Sequence, residues 1–576
     1  MRNLIDTVRL EIRQVITRAL EKAASNGEIP GADVGEINIE VPKEKANGDF
    51  SSNIAMQLTK KLKKSPIQIA EAIVNNIDTT GTYIERVEWA GLGFINFYLG
   101  NNWLFDILKI IQAEGRSYGR LDIGRGQKVM VEFVSANPIG PLHMGNARGG
   151  ALGDCIANVL DAAGYHVTRE FYINDAGNQI EKFGISLEAR YIQLLNGEDA
   201  IEFPEDGYHG EDIIEHVKAY VEKNGDKLLG AEAKERRREL VECALPFYIS
   251  RIKNALMDYG ISFDVWFSEQ SLYENGEIDK TLKILKEKGH TYEREGAIWF
   301  KASEFGTEKD EVLVRNNGVP TYFLTDIAYH RNKFIKRDFE RVINLLGADH
   351  HGHVARMKAG LSAFDIDTHG LDVVLFQLVR LYRNGEIARM SKRTGKDISL
   401  TDLLEEIGEK STGEIDIEKG RDALRFFFNM KVSGSHLDFD IDLAVRQSND
   451  NPVYYVQYAH ARTCNILKNL QNTGVEMPKV EEVDLTLLMA KEELELMKKL
   501  AEYPEEIRIS AETLEPSRLT RYVLDVAAKL HSFYDACIVK CKDRNLMNAR
   551  IILIDSTRIV IKNVLGVLSI NAPEEM

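Results

Sequence analysis

VMVEFVSANPIGPLHMGNARGG, running from Val129 to Gly150, decides how this chain is read. Val129, Met130, Val131, Phe133 and Val134 form an apolar run broken only by Glu132. That is the pattern of a short strand buried on both faces, as in a parallel sheet. A turn punctuated by Pro and Gly follows, Asn137 to Pro141, and then His143, Gly145 and Asn146. Leu152, Ile156, Val159, Leu160 and Ala163 then recur on one face of a helix that Gly164 ends. A strand, a tight turn and a helix N-terminus make a phosphate site, because unpaired N–H groups and the positive dipole end point at whatever sits over the turn. His143 and Asn146 add side-chain donors, and Gly145 leaves room for a flat ring to approach the backbone. The plainer alternative is that His143 caps the helix and Gly145 only turns the chain. A tetrad this short does not decide between them.

A second stretch does. Arg389-Met390-Ser391-Lys392-Arg393 lies in a polar loop just after the apolar run Val373 to Tyr382. The two stretches together resemble the HIGH and KMSKS signatures of class I aminoacyl-tRNA synthetases. SANPIGPLHMGN and Asp422-Ala423-Leu424-Arg425 resemble the arginyl-tRNA synthetase branch in particular. The resemblance runs from the first residues to Ala572-Pro573-Glu574-Glu575-Met576. It implies a multidomain α/β chain: a class I Rossmann-type parallel-sheet catalytic domain, a small N-terminal α/β domain and an all-α C-terminal helical bundle.

The bulk properties agree with such a chain. Its 576 residues exceed one core, and domain size suggests roughly three to five domains. Apolar content of 44% and charged content of 28% describe an ordinary globular protein. Met1 opens into an amphipathic helix containing Asp6 and Glu11, which is no secretory leader, and no run approaches a membrane span. Five scattered cysteines without a Cys-x-x-Cys pair predict free, mostly buried thiols in a reducing compartment, the cytoplasm. A net charge of −16 looks wrong for an RNA binder, but RNA affinity comes from local clusters that displace counterions. Candidate clusters are Lys60-Lys61-Leu62-Lys63-Lys64, the Lys392-Arg393-Lys396 loop, and Pro516 to Leu565 with nine Lys/Arg against four Asp/Glu. Each could equally be a solvated helix face.

Taken in order, residues 1–115 read as a small α/β domain. Ile5, Val8, Ile12, Val15 and Ala19 line a helix, Ile37, Ile39 and Val41 alternate as a strand, Ser65-Pro66 opens a second helix, and Gly93 to Leu99 closes as a strand. Residues 116–444 alternate strands and helices, with strands expected at Val129–Phe133, His166–Tyr172, Arg341–Leu346 and Val373–Leu381. A charged, helix-rich insertion occupies about 180–265 and includes Arg236-Arg237-Arg238. Residues 445–576 are helical throughout, and Cys537 and Cys541 are expected on one helical face as core. The resemblance implies that the first domain contacts the tRNA elbow, through a stretch like Asn47-Gly48-Asp49-Phe50, and that the last reads the anticodon.

In open parallel sheets ligands bind beyond the strand carboxyl ends, where Asn137–Asn146, Asn174–Gln179, Gly347–His353 and Arg389–Lys396 fall. Amino-acid activation is an in-line attack of a carboxylate on the α-phosphate of ATP, and it needs positioning and charge stabilisation more than a protein nucleophile. His143, Asn146, Lys392 and Arg389 are the residues that the resemblance assigns to that step. Gly145, Gly347, Asp349, Met390 and Ser391 join His143, Asn146 and Lys392 as ATP contacts, with Mg2+ accompanying the nucleotide. Two departures from the signatures stand out. Asn146 replaces the second His and cannot carry a proton charge. Arg389 replaces the first Lys, a planar fork in place of a compact ammonium, and Arg393 replaces the terminal Ser.

Selecting arginine requires acceptors shaped for a guanidinium, which a carboxylate can pair in bidentate fashion. Tyr322 and Asp326 lie four apart, on one face if their segment is helical, and both resemble the family's guanidinium-binding residues. Glu132, Ser135 and Asn137 are assigned with them as arginine contacts, Glu132 and Asn137 matching by spacing the residues that hold the amino end. His350 is assigned there too. Asp349-His350-His351-Gly352-His353 is not expected to hold a metal, because consecutive histidines cannot all converge. The resulting expectation is an ATP-dependent arginine–tRNA ligase acting as a monomer on arginine, ATP and tRNA(Arg), with no membrane partner. A class I synthetase for another amino acid and an inactive tRNA-binding homologue are the alternatives.

Overall fold

Five parallel strands form the centre of the chain in the computed structural model, which describes residues 4–388, 398–410 and 412–576. They are β1 (Lys128–Glu132), β2 (His166–Ile173), β3 (Val265–Ser268), β4 (Arg341–Gly347) and β5 (Leu371–Phe376), in the order β5-β4-β1-β2-β3. Every neighbouring pair is parallel. The order reverses between β1 and β4, which opens a crevice beyond the strand ends at that line. Val129, Met130, Val131 and Phe133 are fully buried, as their unbroken apolar run requires. Helix α1 (Met144–Ala162) lies close on the sheet because it carries glycine where it crosses aromatic rings. A Cβ at Gly153 would come within 2.3 Å of the Phe133 ring, and one at Gly149 within 2.9 Å of Phe376.

The apolar run from Val373 to Leu381 is not a single strand. β5 ends at Phe376, and the chain restarts as β6 (Val379–Arg383), which pairs in parallel with Leu437–Asp440 and antiparallel with Glu386–Ile387. Arg148, fully buried on α1, holds the break by donating to the carbonyls of Gln377 (2.6 Å) and Val432 (3.2 Å). Apolar character predicts burial, not the sheet in which the residue is buried.

Between β2 and β3 the chain forms α2 (Asn178–Asn196), α3 (Glu211–Asn224) and α4 (Ala233–Asp258), which enclose a separate core around Phe183, Leu187 and Tyr191. Arg236 and Arg237 both clamp the buried Glu188 carboxylate, so this basic run is structural.

In the N-terminal part, helices Leu4–Ser25 and Pro66–Asn76 accompany an antiparallel sheet of Phe50–Ser52, Ile84–Ala90 and Phe94–Leu99. Ser65 and Gln68 complete a capping box before Pro66. The strand expected at Ile37–Val41 does not form. The three-residue strand Phe50–Ser52 offers it a single bridge, Glu40 to Ser51, and Val41 is exposed.

Beyond residue 445 the described secondary structure is helical, with its long helices at Pro452–Asn472, Ser517–Ala536 and Arg544–Val567. The helix Ser517–Ala536 ends before Cys537, so both Cys537 and Cys541 lie past it and the two thiols share no helical face. Only Cys155 and Cys537 are buried, and Cys243 is exposed, which corrects the expectation of mostly buried thiols. Among the described residues no helix is long and apolar enough to cross a membrane.

Candidate active site

The turn after β1 is strained where it is chemically busiest. Val134 (φ 68°) and Ser135 (φ 41°) both sit in the left-handed region, which is sterically unfavourable for a β-branched residue such as valine. The strain places the Ser135 hydroxyl between two strand ends: it donates to Glu132 Oε1 at 3.0 Å and accepts from the Tyr172 N–H at 3.2 Å. Further along, His143 is the N-cap of α1. Its Nδ1 accepts from the Gly145 N–H (3.1 Å), while Asn146 Oδ1 accepts from the His143 N–H (3.1 Å). The capping alternative is therefore real, and it does not exclude a ligand role, because the reciprocal box pins both side chains at the positive helix end. Desolvation holds the His143 imidazole below the usual histidine range, favouring its neutral form. A Cβ at Gly145 would meet His143 Cε1 at 3.0 Å, so the glycine lets the ring fold onto the amide.

Tyr322 and Asp326 do share a helix face, on α5 (Tyr322–Arg331). Tyr322 is half exposed and lies over Gly177, beyond the end of β2. Asp326 Oδ2 lies 3.2 Å from His353 Nε2. A group not singled out in the sequence completes the cluster. Glu269, 2% exposed at the end of β3, sits beside Tyr172 and close enough to Asp326 and Asp175 for their charges to act on it. Burial first, and then those neighbouring carboxylates, push its pKa up to about 7 against the pull of the Tyr172 hydrogen bond. Asn174, with its amide turned to donate, reaches Glu269 Oε2 at 3.2 Å. Asp175 ties the ends of β2 and β3 together by accepting from Ser268 Oγ (2.6 Å) and the Gln270 N–H (2.9 Å).

Of the remaining candidates, Gly347 closes β4, and Asp349 and His350 are exposed and lie 3.6 Å apart. It is His353 from that run, and not His350, that the structure brings to Asp326. Asn137 lies in the turn itself, its carbonyl accepting from the Ile139 N–H at 2.9 Å. Arg389, Met390, Ser391, Lys392 and Arg393 lie outside the described residues, but the chain on either side of them is informative. Ala388 leaves from the β6 hairpin. On return, Ser399 bridges to His143, and the Leu400 N–H, at the start of α6 (Leu400–Gly408), donates to the Leu142 carbonyl at 2.8 Å. The described residues that follow the segment resembling KMSKS thus return to the turn that resembles HIGH.

Comparison with known proteins follows the same lines. Residues 107–425 match the family model "tRNA synthetases class I (R), catalytic domain". Residues 10–99 match "Arginyl tRNA synthetase N terminal domain", and residues 456–576 "DALR anticodon binding domain". A protein of Acetivibrio thermocellus named arginine–tRNA ligase is 69% identical over 576 residues, covering all of both chains. The chain belongs to the arginyl-tRNA synthetase family. A relative from Ruminiclostridium cellulolyticum with the same name is 63% identical, again over the whole of both chains. The solved arginyl-tRNA synthetase of Thermus thermophilus has the same fold, with a TM-score of 0.71 at 22% identity over 98% of this chain and all of that one.

Asp422 to Arg425 staples the sheet to the bundle. Arg425, fully buried, pairs with Asp154 on α1 and donates to the Leu568 carbonyl (3.1 Å) beyond the last helix. Asp422 accepts from Gln457 Nε2 (2.9 Å) and the Asn571 N–H (3.2 Å), and burial pushes its pKa up to about 6. The basic stretch from Pro516 to Leu565 is less open than its composition suggests: Arg518, Lys529, Arg550 and Arg558 are tied to Glu506, Glu495, Glu493 and Asp555. The bundle instead presents partly exposed rings. Tyr454 stacks on Tyr458, Tyr458 on His531, and Arg462 lies 3.8 Å from the Tyr534 ring centroid. Such faces suit unstacked RNA bases.

Proposed function

We propose that this chain ligates L-arginine to tRNA(Arg) in two steps. ATP and arginine give arginyl-adenylate and pyrophosphate, and transfer to the 2′-hydroxyl of the terminal adenosine releases AMP. The observation that carries the reading is the acidic cluster of Asp326 and Glu269, with Tyr322 on the same helix face as Asp326, beyond the strand ends of the sheet whose β1 leads into the helix N-terminus capped by His143 and Asn146. A buried carboxylate beside a half-buried one selects a cation, and a planar guanidinium can meet two of them at once.

In this reading Asp326 and Glu269 take the guanidinium and Tyr322 adds a neutral oxygen. Glu132, Ser135 and Asn137 hold the amino end, which leaves the substrate carboxylate facing the α1 N-terminus. ATP enters as its Mg2+ complex and lies over His143, Gly145 and Asn146, with Gly347 and Asp349 at its edge. Lys392, with Arg389, Met390 and Ser391, serves the phosphates, where an ammonium on a long side chain can follow charge onto the leaving pyrophosphate. The division of labour is residues 1–115 on the tRNA body, 116–444 for activation and 445–576 on the anticodon. Every group invoked comes from one copy of the chain, so a monomer suffices, working in the cytoplasm where its substrates are.

ATP–pyrophosphate exchange measured with each amino acid, with and without tRNA, tests the reading. Exchange with arginine alone is expected, and negligible exchange when tRNA is omitted. Exchange driven by another amino acid, or by none, would overturn the assignment.

A further inference from the structure

Lys333 has no measurable exposure, an expensive place for an ammonium unless it is fully met. It gets there through a change of helical register: α5 stops at Arg331, and Asn332–Lys336 continue as a π turn. Such insertions commonly mark functional positions. The wider turn delivers the Lys333 ammonium across the line between β1 and β4, where Glu132 and Asn344 are register partners. Its Nζ pairs with Glu132 Oε2, donates to Asn344 Oδ1 at 3.2 Å, and lies 4.1 Å from the Tyr329 ring centroid.

The polarity of the chain beyond Asn344 is determined. His330 Nδ1 lies 2.9 Å from the Asp326 carbonyl, which can only accept, so Nδ1 carries the proton. Nε2 must then accept from Asn344 Nδ2, 2.6 Å away, which turns the Asn344 oxygen toward Lys333. Burial keeps the His330 ring neutral. One directed run of hydrogen bonds thus joins Glu132 to the backbone of the residue whose side chain is Asp326.

We propose that Lys333 is a positioning residue that fixes the Glu132 carboxylate for the α-ammonium of arginine. Through Asn344 and His330 it also ties that end of the pocket to the helix bearing Asp326. This rests on the reading of Glu132 as the amino-end ligand. The link sets the spacing between the two groups that grip the substrate's ends. It also leaves Glu132 able to accept, since Lys333 and Ser135 occupy only part of its lone-pair capacity.

The test compares wild type, Glu132→Gln, Lys333→Met and the double variant in tRNA-dependent pyrophosphate exchange, reading KM for arginine and for ATP separately. Each single variant should raise KM for arginine by about tenfold or more, with KM for ATP held within about twofold. The double variant should be no worse than the single ones within about threefold, because both remove one interaction. Glu132→Gln without effect on KM for arginine would refute the amino-end reading. A normal Glu132→Gln response with a silent Lys333→Met, or with multiplying effects, would overturn the role of Lys333 alone. Should Lys333→Met fail to fold, the double variant, which strands no charge, still decides. Equality with Glu132→Gln supports the proposal, and a further tenfold loss overturns it.

Discussion

Two ionic clusters, one buried around Asp154 and one half-buried around Asp326, differ in completeness. At Asp154 the carboxylate meets Arg425, the Arg169 Nε at 3.3 Å and the Ser569 hydroxyl at 3.1 Å, and Arg425 is in turn used by two carbonyls. Cations and acceptors match, and the cluster joins the sheet to the last helices. Around Asp326 the acids face tyrosines and a histidine: Glu269 has Tyr172 beside it and Asp326 has His353. The first arrangement closes an interface. The second holds acids together in a half-buried cluster, the state a cationic ligand would complete.

Breaking each cluster should therefore read out differently. Arg425→Met takes from Asp154 its fully buried partner, leaving Arg169 as its one cation, and should cost about 3–5 kcal/mol of stability, seen as a fall in Tm. Adding Asp154→Asn should recover much of it. Asp326→Asn should leave Tm unchanged or raised, yet lower kcat/KM for arginine by the roughly 2–5 kcal/mol expected for one half of a buried charge pair. KM for ATP should stay near wild type. Near-normal arginine efficiency in that variant would move the specificity carboxylate to Glu269.

A smaller effect sharpens the contrast through pH. The pKa of Glu269 is raised to about 7 from 4.5, so in the free protein its carboxylate opposes folding as pH rises from 4.5 through 7. A bound guanidinium requires the ionised form, so arginine binding below pH 7 must expel a proton. KM for arginine should rise about tenfold from pH 8 to pH 6, and Glu269→Gln should flatten the profile. Saturating arginine should also raise Tm more at pH 8 than at pH 6. The smallest expected change is at Gly145→Ala, whose methyl must push the His143 ring by a few tenths of an ångström. KM for ATP should rise by about fivefold, well below the hundredfold of a full ångström of misplacement.

What could be read without the structure was local. The strand at Val129, the helix after it, the Ser65–Pro66 helix start and the His143 turn all follow from residues within one or two turns of each other. Tyr322 and Asp326 were legible for the same reason, since four residues on a helix face need no tertiary information. The sequence also overreached where it lacked partners. The run from Val373 to Leu381 has one hydropathy but two sheets, and Ile37–Val41 alternates beside a strand edge only three residues long, which gives it a single bridge.

The remaining site residues depend on contacts between distant segments. Nothing local distinguishes Glu269 from the other acids. Its raised pKa exists because β3 ends beside β2 and α5 brings Asp326 near. Lys333 and Glu132 lie 201 positions apart and meet only where β1 and β4 reverse the sheet order. Periodicity and capping are written in the chain because their energies arise between neighbours in sequence. A buried charge takes its meaning from whatever surrounds it in space, and here the order of strands in the sheet decides that.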